Sequence, residues 1–278
     1  MKNIGIVYHP RNKAALPLAK KVAEFLDSNG ISTWLSSAWE SEQLKTKVSG
    51  TDLILTFGGD GTILRTAQAV AHHLTPITGI NLGNLGFMTE LTPDEVITRL
   101  PIILAGESWI DERIMLEAEL IDNNDEERNS VQRFYALNDV VVSRGEIARI
   151  ISIAASIDDV PLTTYQADGV IAATATGSTG YALAAGGPIL HPQADEYLLV
   201  PILPHLSLDY ALVLPPAAIV KLKINTTHQT TLSIDGHIIL PLSSGATITV
   251  KRSLSRIRFL RIRPKNFFYS TLKQKLKG

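Results

Sequence analysis

The 278-residue sequence contains no cysteine. This absence excludes disulfide bonds, zinc–thiolate and iron–sulfur sites, and catalysis by a thiol nucleophile. An excess of either charge is also lacking, because 26 Lys and Arg residues are balanced by 27 Asp and Glu residues to give a net charge of −1. Proteins that bind nucleic acid use excess positive charge to neutralise phosphates, so we expect no nucleic acid partner.

Long apolar runs are missing as well. No run in the sequence reaches the roughly 20 residues that a membrane-spanning helix needs. The N-terminal stretch MKNIGIVYHP reads as a short strand that a turn interrupts at Pro10, and its apolar part is too short for a signal peptide. We therefore expect a cytoplasmic protein with no membrane partner.

The pattern of apolar residues predicts two domains, and the hydrophobic fraction of 45% is sufficient for two cores. In residues 1–105, apolar runs typical of buried strands alternate with helical patterns, which predicts a parallel sheet covered by helices. After Gly106 many short strands follow, which predicts two packed sheets. The sequence thus predicts an α/β domain over 1–105, a β-sandwich-like domain over 106–263, and a helical tail over 264–278 that packs back on the first domain.

Some predictions for the β-rich half are local. Residues 135–142 read as one strand, and residues 246–251 and 257–262 read as two separate strands. Asp168-Gly169 and Asp235-Gly236 read first as hairpin turns, because an Asp-Gly dipeptide favours the positive φ angles of tight turns.

The most informative stretch is GGDGT at residues 58–62, which follows an apolar run at 53–57 and opens a helical pattern. A strand, a glycine turn and a helix N-terminus together direct backbone N–H groups at one point, which suits phosphate. A carboxylate repels phosphate, so Asp60 requires a role such as metal binding or acceptance of a proton. The alternative is a tight turn in which Asp60 only caps the helix. The predicted phosphate loop consists of Gly58, Gly59, Gly61 and Thr62.

A second glycine-rich segment, residues 174–188, interrupts the predicted strands. Its hydroxyl groups and glycines lead into a short alanine-rich helix, which suits a nucleotide, with Tyr181 against a flat base. The alternative is a flexible linker. Asn138 and Asp139 lie within a predicted strand, where polar side chains bind a partner or ligand, or else face solvent.

These segments together resemble the NAD kinases. The resemblance rests on GGDGT at 58–62, NLGNLGF at 81–87, LNDVVVSR at 137–144, DGVIAATATGSTGYALAAGGPI at 168–189, Pro204-His205 and Asp235-Gly236, in this order. It implies an α/β N-terminal domain, a β-sandwich-like C-terminal domain, a NAD site between them, and a homo-oligomer, dimeric or tetrameric. It also implies ATP-dependent phosphorylation of the 2′-hydroxyl of the adenosine ribose of NAD to give NADP, with a divalent metal, expected to be Mg²⁺.

The resemblance also implies roles for individual residues. Asp60 is the expected proton acceptor for the 2′-hydroxyl. The residues expected to bind NAD or nucleotide are Gly61, Arg65, Asn138, Asp139, Arg149, Gln166, Asp168, Thr176, Thr179, Gly180, Tyr181, Ala182, Leu183, Ala184 and His237. The sequence departs from the family pattern at Asp139, where the family has Glu, at Gly180, where it has Ala, and at Ala173 and Ala184, where Ser is common.

Two other functions remain open at this point. Related GGDG kinases phosphorylate lipids or sugars, but the sequence has no basic amphipathic helix for a membrane surface. A non-catalytic NAD or NADP sensor would bind the dinucleotide without turnover, and such a protein would not need an acid among phosphates.

Overall fold

The structure is a computed structural model that describes residues 1–84, 86–122, 131–146, 149–205, 208–226 and 228–275. Its contacts divide the chain into two compact units. Unit 1 comprises Met1–Glu112 and the chain from Ile257 onward, and unit 2 comprises Arg113–Arg256. The boundaries predicted from the sequence, near 106 and 263, lie a few residues from these divisions, because one strand near each boundary runs from one unit into the other.

Helices alternate with strands in the first part of the chain, and strands dominate the rest. The bounds of these elements, in chain order, are β1 Asn3–Tyr8, α1 Ala15–Ser28, β2 Ser32–Ser37, α2 Ser41–Val48, β3 Leu53–Gly58, α3 Asp60–Val70, β4 Ile77–Asn81, α4 Pro93–Leu104, β5 Trp109–Ile121, β6 Gln132–Ala136, β7 Asp139–Arg144, β8 Ile151–Ile157, β9 Val160–Ala167, β10 Gly169–Thr174, α5 Tyr181–Ala184, β11 Tyr197–Ile202, β12 Leu212–Leu214, β13 Ile219–Ile224, β14 Thr230–Ile234, β15 Ile238–Leu242, β16 Thr247–Arg261 and α6 Phe267–Lys275.

Unit 1 has a parallel sheet in the order β2-β1-β3-β4. The apolar faces of α1 and α4 share one core with β1 and β3, and β3 itself is buried along its whole length. A strand buried on both faces is what a parallel sheet between helices requires. The α/β fold predicted from the sequence is confirmed.

The register of this sheet brings the loops after β1, β3 and β4 to the same edge. Tyr8 lies beside both Ser37 and Phe57, and Gly58 lies beside Asn81, so the carboxyl ends of the four strands are level. The loops after β1 and β4 also meet, because the Asn12 side-chain amide donates to the Leu82 carbonyl over 3.2 Å. Ligands of open parallel sheets bind beyond this edge.

Unit 2 contains the antiparallel sheet β12-β11-β10-β7-β14-β15 and a second group of strands in which β9 pairs with β8, β8 with β13, and β13 with the first part of β16. Buried residues of both groups form one core, including Val142 and Leu232 from the first and Ile153 and Leu222 from the second. The predicted sheet-on-sheet packing is confirmed.

Three local predictions for this half are wrong. Residues 135–142 are not one strand, because β6 ends at Ala136 and β7 begins at Asp139. Residues 246–251 and 257–262 belong largely to one strand, β16. Asp168-Gly169 is not a hairpin turn, since β9 and β10 lie in different sheets. The Asp235-Gly236 hairpin is confirmed: it joins β14 to β15 with φ angles of 50° and 68°.

Within the described ranges, none of the helices combines the length and the apolar character that crossing a bilayer requires.

The start of α4 provides a test of local stability. The sequence Thr92-Pro93-Asp94-Glu95 predicts a capping box, and the structure has it, with the Thr92 N–H donating to Glu95 Oε2 over 3.0 Å. We expect Thr92→Ala to lower the free energy of unfolding by about 1 kcal/mol, because helix N–H groups lose their acceptor. Urea denaturation measures this loss. Thr98→Ala in the same helix is the matched control and is expected to change stability by less than about 0.5 kcal/mol, so an equal loss in both variants would contradict the assignment.

Candidate active site

Asp60 is the first residue of α3, directly after the glycine turn. Its carboxylate accepts two backbone hydrogen bonds, from the Phe87 N–H to Oδ2 over 2.9 Å and from the Met88 N–H to Oδ1 over 3.1 Å. It makes no capping bond to its own helix, whose N-cap is Gly59, so the interpretation of Asp60 as a simple cap is wrong. The side chain instead joins the GGDGT turn to the loop after β4.

The glycines around Asp60 fall into two classes. At Gly58 an added Cβ would overlap the Thr62 hydroxyl, and at Gly86 it would overlap Asp60 Oδ1, so packing within the protein requires glycine at both positions. At Gly59 and Gly61 an added Cβ would meet no described atom within 4 Å. Gly61 lies in the first turn of a helix, where glycine costs up to about 1 kcal/mol relative to alanine. Neither packing nor a positive φ requires glycine at these two positions, and open space beside the backbone is what the close approach of a ligand would need.

Arg65 lies one turn further along α3, over an aromatic ring. Its guanidinium is 4.3 Å from the centre of the Trp39 indole, and the His9 ring packs edge-on against the same indole at 4.6 Å. Partial burial and the positive charge of Arg11 lower the pKa of Arg65. Two like charges near one point favour an anion there, so this cluster supplies positive charge beside the turn.

The Thr62 hydroxyl is buried, and no partner for its oxygen is found among the described atoms. It lies under the turn against Gly58, and Thr66 donates to the Thr62 carbonyl over 2.9 Å. Thr62 therefore belongs to the support of the turn.

In unit 2 a carboxylate organises the second group of predicted residues. Asp235, in the β14–β15 hairpin, accepts backbone hydrogen bonds from Leu137 over 2.9 Å, from Asn138 over 2.7 Å and from Asp139 over 3.1 Å. These three N–H groups therefore have a side-chain acceptor instead of a neighbouring strand, which explains why β6 and β7 are separate strands.

The break between β6 and β7 places Asn138 against the segment at the end of β10, residues 174–177. An added Cβ at Gly177 would overlap the Asn138 carbonyl, and the Thr174 N–H donates to that carbonyl over 2.8 Å. Asn138 Oδ1 is buried, and no hydrogen-bond donor for it exists among the described atoms. A buried amide oxygen without a donor costs about 1–3 kcal/mol, which a ligand donor would recover.

The segment after β10 is ordered by its own hydrogen bonds, so the interpretation of it as a flexible linker is wrong. Ser178 Oγ donates to the Ala175 carbonyl over 2.7 Å and accepts from the Leu190 N–H over 3.0 Å. The buried Arg113 donates to Thr176 Oγ1 over 3.3 Å. Of the residues predicted to line a nucleotide, Ala182 is buried, Thr179 and Leu183 are half-buried, and Gly180, Tyr181 and Ala184 are exposed.

Asp139 begins β7 and is only 7% exposed. Burial, and after it the negative charge of Asp235, raises the pKa of Asp139 to about 7. His237 lies beside this pair, with its Nδ1 3.2 Å from the Asp235 carbonyl. The interpretation of Asp139 as a solvent-facing residue is therefore wrong.

Other predicted residues lie at the far end of the same strands. Gly169 is beside Ser143 and Ala173 is beside Asp139, so the start and end of β10 are about 17 Å apart. Asp168, just before β10, pairs with Arg144 over 2.9 Å, and Gln166 donates to Ser152 over 3.0 Å. The structure therefore does not bring Asp168 and Gln166 together with Asn138, and Arg149 is an exposed residue outside the strands.

Sequence reasoning misses several residues of this arrangement. Asp235 reads only as a turn residue, and its carboxylate shows no local signal because its partners are 96–98 positions away. The Phe87 and Met88 N–H groups also carry no side-chain signal. Trp39 follows β2 at the same sheet edge. An aromatic residue directly after a strand at this edge is the sequence feature that could have indicated its place in the site.

Comparison with known proteins agrees with this geometry. Residues 4–108 match the family model of the ATP-NAD kinase N-terminal domain, and residues 137–262 match that of the ATP-NAD kinase C-terminal domain. The chain is 52% identical to a NAD kinase of Dehalococcoides mccartyi over 277 residues, covering 100% of this chain and 96% of the relative. It is 39% identical to a NAD kinase of Chloroflexus aggregans, covering 100% and 99%.

Solved structures have the same fold. The crystal structure of yeast NADH kinase complexed with NADH matches with a TM-score of 0.82 and 26% identity, covering 100% of this chain and 88% of that one. A NAD kinase from Archaeoglobus fulgidus matches with a TM-score of 0.77 and 23% identity, covering 98% of each chain, and at that identity it supports the fold alone.

The raised pKa of Asp139 makes stability depend on pH. The carboxyl has a pKa of about 7 in the folded chain and an ordinary value of 3.8, so folding favours its protonated form. Stability from this group is complete below about pH 4 and is lost as the pH rises through 7. We expect the wild-type protein to lose roughly 2–4 kcal/mol more than Asp139→Asn between pH 5 and pH 8 in urea denaturation. Parallel pH profiles for the two proteins would contradict the raised pKa.

Proposed function

Because the chain belongs to the ATP-NAD kinase family and is thus an ATP-dependent kinase for NAD, we propose that it transfers the γ-phosphoryl group of ATP to the 2′-hydroxyl of the adenosine ribose, giving NADP, with Asp60 as the general base. The observation that carries the proposal is the Asp60 carboxylate, which two backbone N–H groups hold directly after the glycine turn. Direct in-line transfer needs positioning and charge neutralisation and no covalent intermediate.

Asp60 has the capacity for this role. An ionised carboxylate offers about four lone-pair positions, and the two backbone bonds occupy one on each oxygen. The remaining positions accept the hydrogen bond of a substrate hydroxyl and then its proton. The two N–H groups fix the direction in which those positions point, which is what general-base catalysis requires.

The turn before Asp60 is proposed to hold the phosphates of ATP. Gly59 and Gly61 leave open space beside the backbone, and the first N–H groups of a helix lack intrahelical partners and attract anions. Arg65 carries a fork of N–H donors that matches phosphate oxygens, and the nearby Arg11 adds positive charge. Gly58 and Thr62 support the turn from beneath.

The residues around Asn138 are proposed to hold the adenosine of NAD. Asn138 Oδ1 lacks a donor among the described atoms, and an adenine amino group is a suitable donor. Asp139 is proposed to bind the ribose hydroxyls, and the exposed Tyr181 ring is proposed to stack on a base. The family's longer Glu has one more methylene than Asp139, so this carboxyl reaches less far. The further nucleotide-lining residues are Thr176, Thr179, Gly180, Ala182, Leu183, Ala184 and His237.

Arg149, Gln166 and Asp168 remain predictions as NAD contacts. In this chain Asp168 already has a partner in Arg144, and it lies at the far end of β10 from Asn138. Because of this separation, Asp168 is proposed to contact the nicotinamide end of the dinucleotide.

The metal is proposed to be Mg²⁺ bound mainly by the triphosphate. No group of three or more His, Asp or Glu residues suited to a metal ion exists within the described ranges. Mg²⁺ typically binds through substrate phosphates and one or two carboxylates, so the residues fit an ion that arrives with ATP, near Asp60. Such an ion neutralises phosphate charge during transfer.

We also propose a homo-oligomer, dimeric or tetrameric, that works in the cytoplasm. Light scattering of the purified protein measures the oligomeric state, and a monomer at micromolar concentration would contradict the first part.

The role of Asp60 is tested by Asp60→Asn. We expect the fold and NAD binding to be kept and turnover to fall by about 100-fold or more, because the amide cannot accept the proton. The assay incubates protein with NAD, ATP and Mg²⁺ and reads NADP with an NADP-specific dehydrogenase. Asp94→Asn, an exposed first-turn residue of α4, is the matched control and is expected to keep normal turnover.

Normal turnover in Asp60→Asn would remove this residue from the base role. If the wild-type protein forms no NADP but binds NAD in calorimetry, the sensor function is correct instead. If it neither turns over nor binds NAD, lipid and sugar acceptors are the next to assay.

The phosphate loop is tested by Gly61→Ala. Since an added Cβ has open space and alanine favours the helix, we expect the melting temperature to stay equal or rise. The same Cβ would enter the space where the phosphates are proposed to bind, so we expect kcat/KM for ATP to fall by about 10-fold or more, as for a lost phosphate contact. Thr98→Ala, at an exposed position of α4, is the control that keeps kcat/KM. Unchanged kinetics in both variants would contradict the phosphate site.

A further inference from the structure

The segment that holds Asp60 is itself held from its opposite side. Phe87 and Met88 donate their N–H groups to Asp60, while the carbonyl groups of the same segment face a buried arginine. Arg261 Nη1 donates to the Met88 carbonyl over 2.8 Å and is 3.4 Å from the Thr89 carbonyl. The Met88 N–H and the Met88 carbonyl belong to consecutive planar peptide groups that meet at the Met88 Cα, so a displacement of the carbonyl moves this Cα and with it the peptide group that carries the N–H.

Arg261 has little freedom to move. It is the last residue of β16 and is only 6% exposed. Its Nε donates to Asp111 over 3.3 Å, its Nη1 contacts Glu90 Oε2 at 3.2 Å, and its guanidinium lies 4.8 Å from the centre of the Phe259 ring. A guanidinium stays charged and presents donors in a fixed plane, so this one acts as a rigid support.

Glu90 connects the same segment to the backbone after β16. Its Oε1 accepts the Ile262 N–H over 2.8 Å and the Arg263 N–H over 2.6 Å, and its own carbonyl accepts Arg263 Nε over 2.7 Å. The end of β16 and the loop after β4 are therefore joined by side-chain and backbone bonds in both directions.

The contact between this loop and Asp60 is tight. An added Cβ at Gly86 would overlap Asp60 Oδ1. On the outer side, the Phe268 ring of α6 lies 6.2 Å from the Phe87 ring, and Lys275 lies 4.4 Å from the centre of the same ring. The loop is thus enclosed by Asp60 on one side and by the C-terminal segment on the other, so a shift in the loop moves the carboxylate.

We propose that Arg261 is a positioning residue for the phosphoryl transfer, which fixes residues 87–89 and through them the orientation of the Asp60 carboxylate. The proposal rests on the proposed function of Asp60 as the base. A role in stability alone is the less favoured explanation, because buried ion pairs contribute little net stability relative to apolar replacements. Misplacement of a reacting group by about 1 Å costs on the order of 100-fold in rate.

The test is Arg261→Lys, made in the wild-type protein and in Asp60→Asn. Lysine keeps the charge, but its single nitrogen replaces the separate Nε and Nη1 atoms with which Arg261 bonds Asp111 and the Met88 carbonyl. We expect kcat to fall by about 10- to 100-fold with KM for NAD and ATP within about 2-fold, since the loss is in orientation. In the Asp60→Asn background we expect less than about 2-fold further loss, since residues that act as a unit are non-additive.

Arg258→Lys is the matched control. It lies on the same strand and pairs with Glu112 at a partly exposed position, without contact to residues 86–90 in the described structure. We expect it to keep wild-type kcat. The melting temperature of each variant is measured first, and if Arg261→Lys does not fold, Glu90→Gln replaces it, because the amide weakens the Arg261 contact while keeping an oxygen for the Ile262 and Arg263 N–H groups.

Three results would overturn the proposal. An equal loss of kcat in both backgrounds would show that Arg261 acts independently of Asp60. A lowered melting temperature with normal kcat would show that it contributes stability alone. Full turnover in the single variant Asp60→Asn would contradict the proposed base, and this failure is recognised without any Arg261 variant.

Discussion

Acceptance of backbone N–H groups by carboxylates is the interaction on which the candidate functional residues of each unit depend. Where the chain leaves a strand, its N–H groups lose their sheet partners, and a buried N–H without an acceptor is costly. Asp60 supplies the acceptors for Phe87 and Met88, and Asp235 supplies them for residues 137–139. Each carboxylate thus determines the path of a loop beside residues that are proposed to bind substrate.

The two carboxylates differ in how many backbone hydrogen bonds they accept and in how deeply they are buried. Asp235 accepts three N–H groups and is buried, so it organises the backbone and raises the pKa of Asp139. Asp60 accepts two and is half-buried, so lone pairs remain on it for the proposed hydrogen bond with a substrate hydroxyl. The same interaction therefore serves structure at one position, and at the other it also orients the proposed base. The protein groups of a kinase do little covalent chemistry and act mainly by positioning the substrates. Such an enzyme needs carboxylates that order the backbone as well as a carboxylate that contacts the substrate.

The features that could be predicted from the sequence are those with local causes. The strand, turn and helix around Asp60, the capping box at Thr92 and the hairpin at Asp235 follow from residues within a few positions of one another. The break between β6 and β7 and the support of Met88 by Arg261 depend on partners 98 and 173 positions away, respectively. Such pairings are set by how sheets assemble, and neither periodicity nor a short motif encodes them. The order of the motifs indicated the family, but it did not separate Asp168 from Asn138.

The stacking of Arg65 on Trp39 has an optical consequence. The indole is 37% exposed, with a guanidinium over one face and the His9 ring at its edge. A cation over an indole changes the energy of its excited state, so tryptophan emission is sensitive to where Arg65 lies. If Arg65 turns toward a phosphate, it leaves the ring. The protein therefore carries an intrinsic fluorophore at the edge of the sheet where ATP is proposed to bind, and of its three tryptophans Trp39 is the one whose emission is expected to change when Arg65 moves.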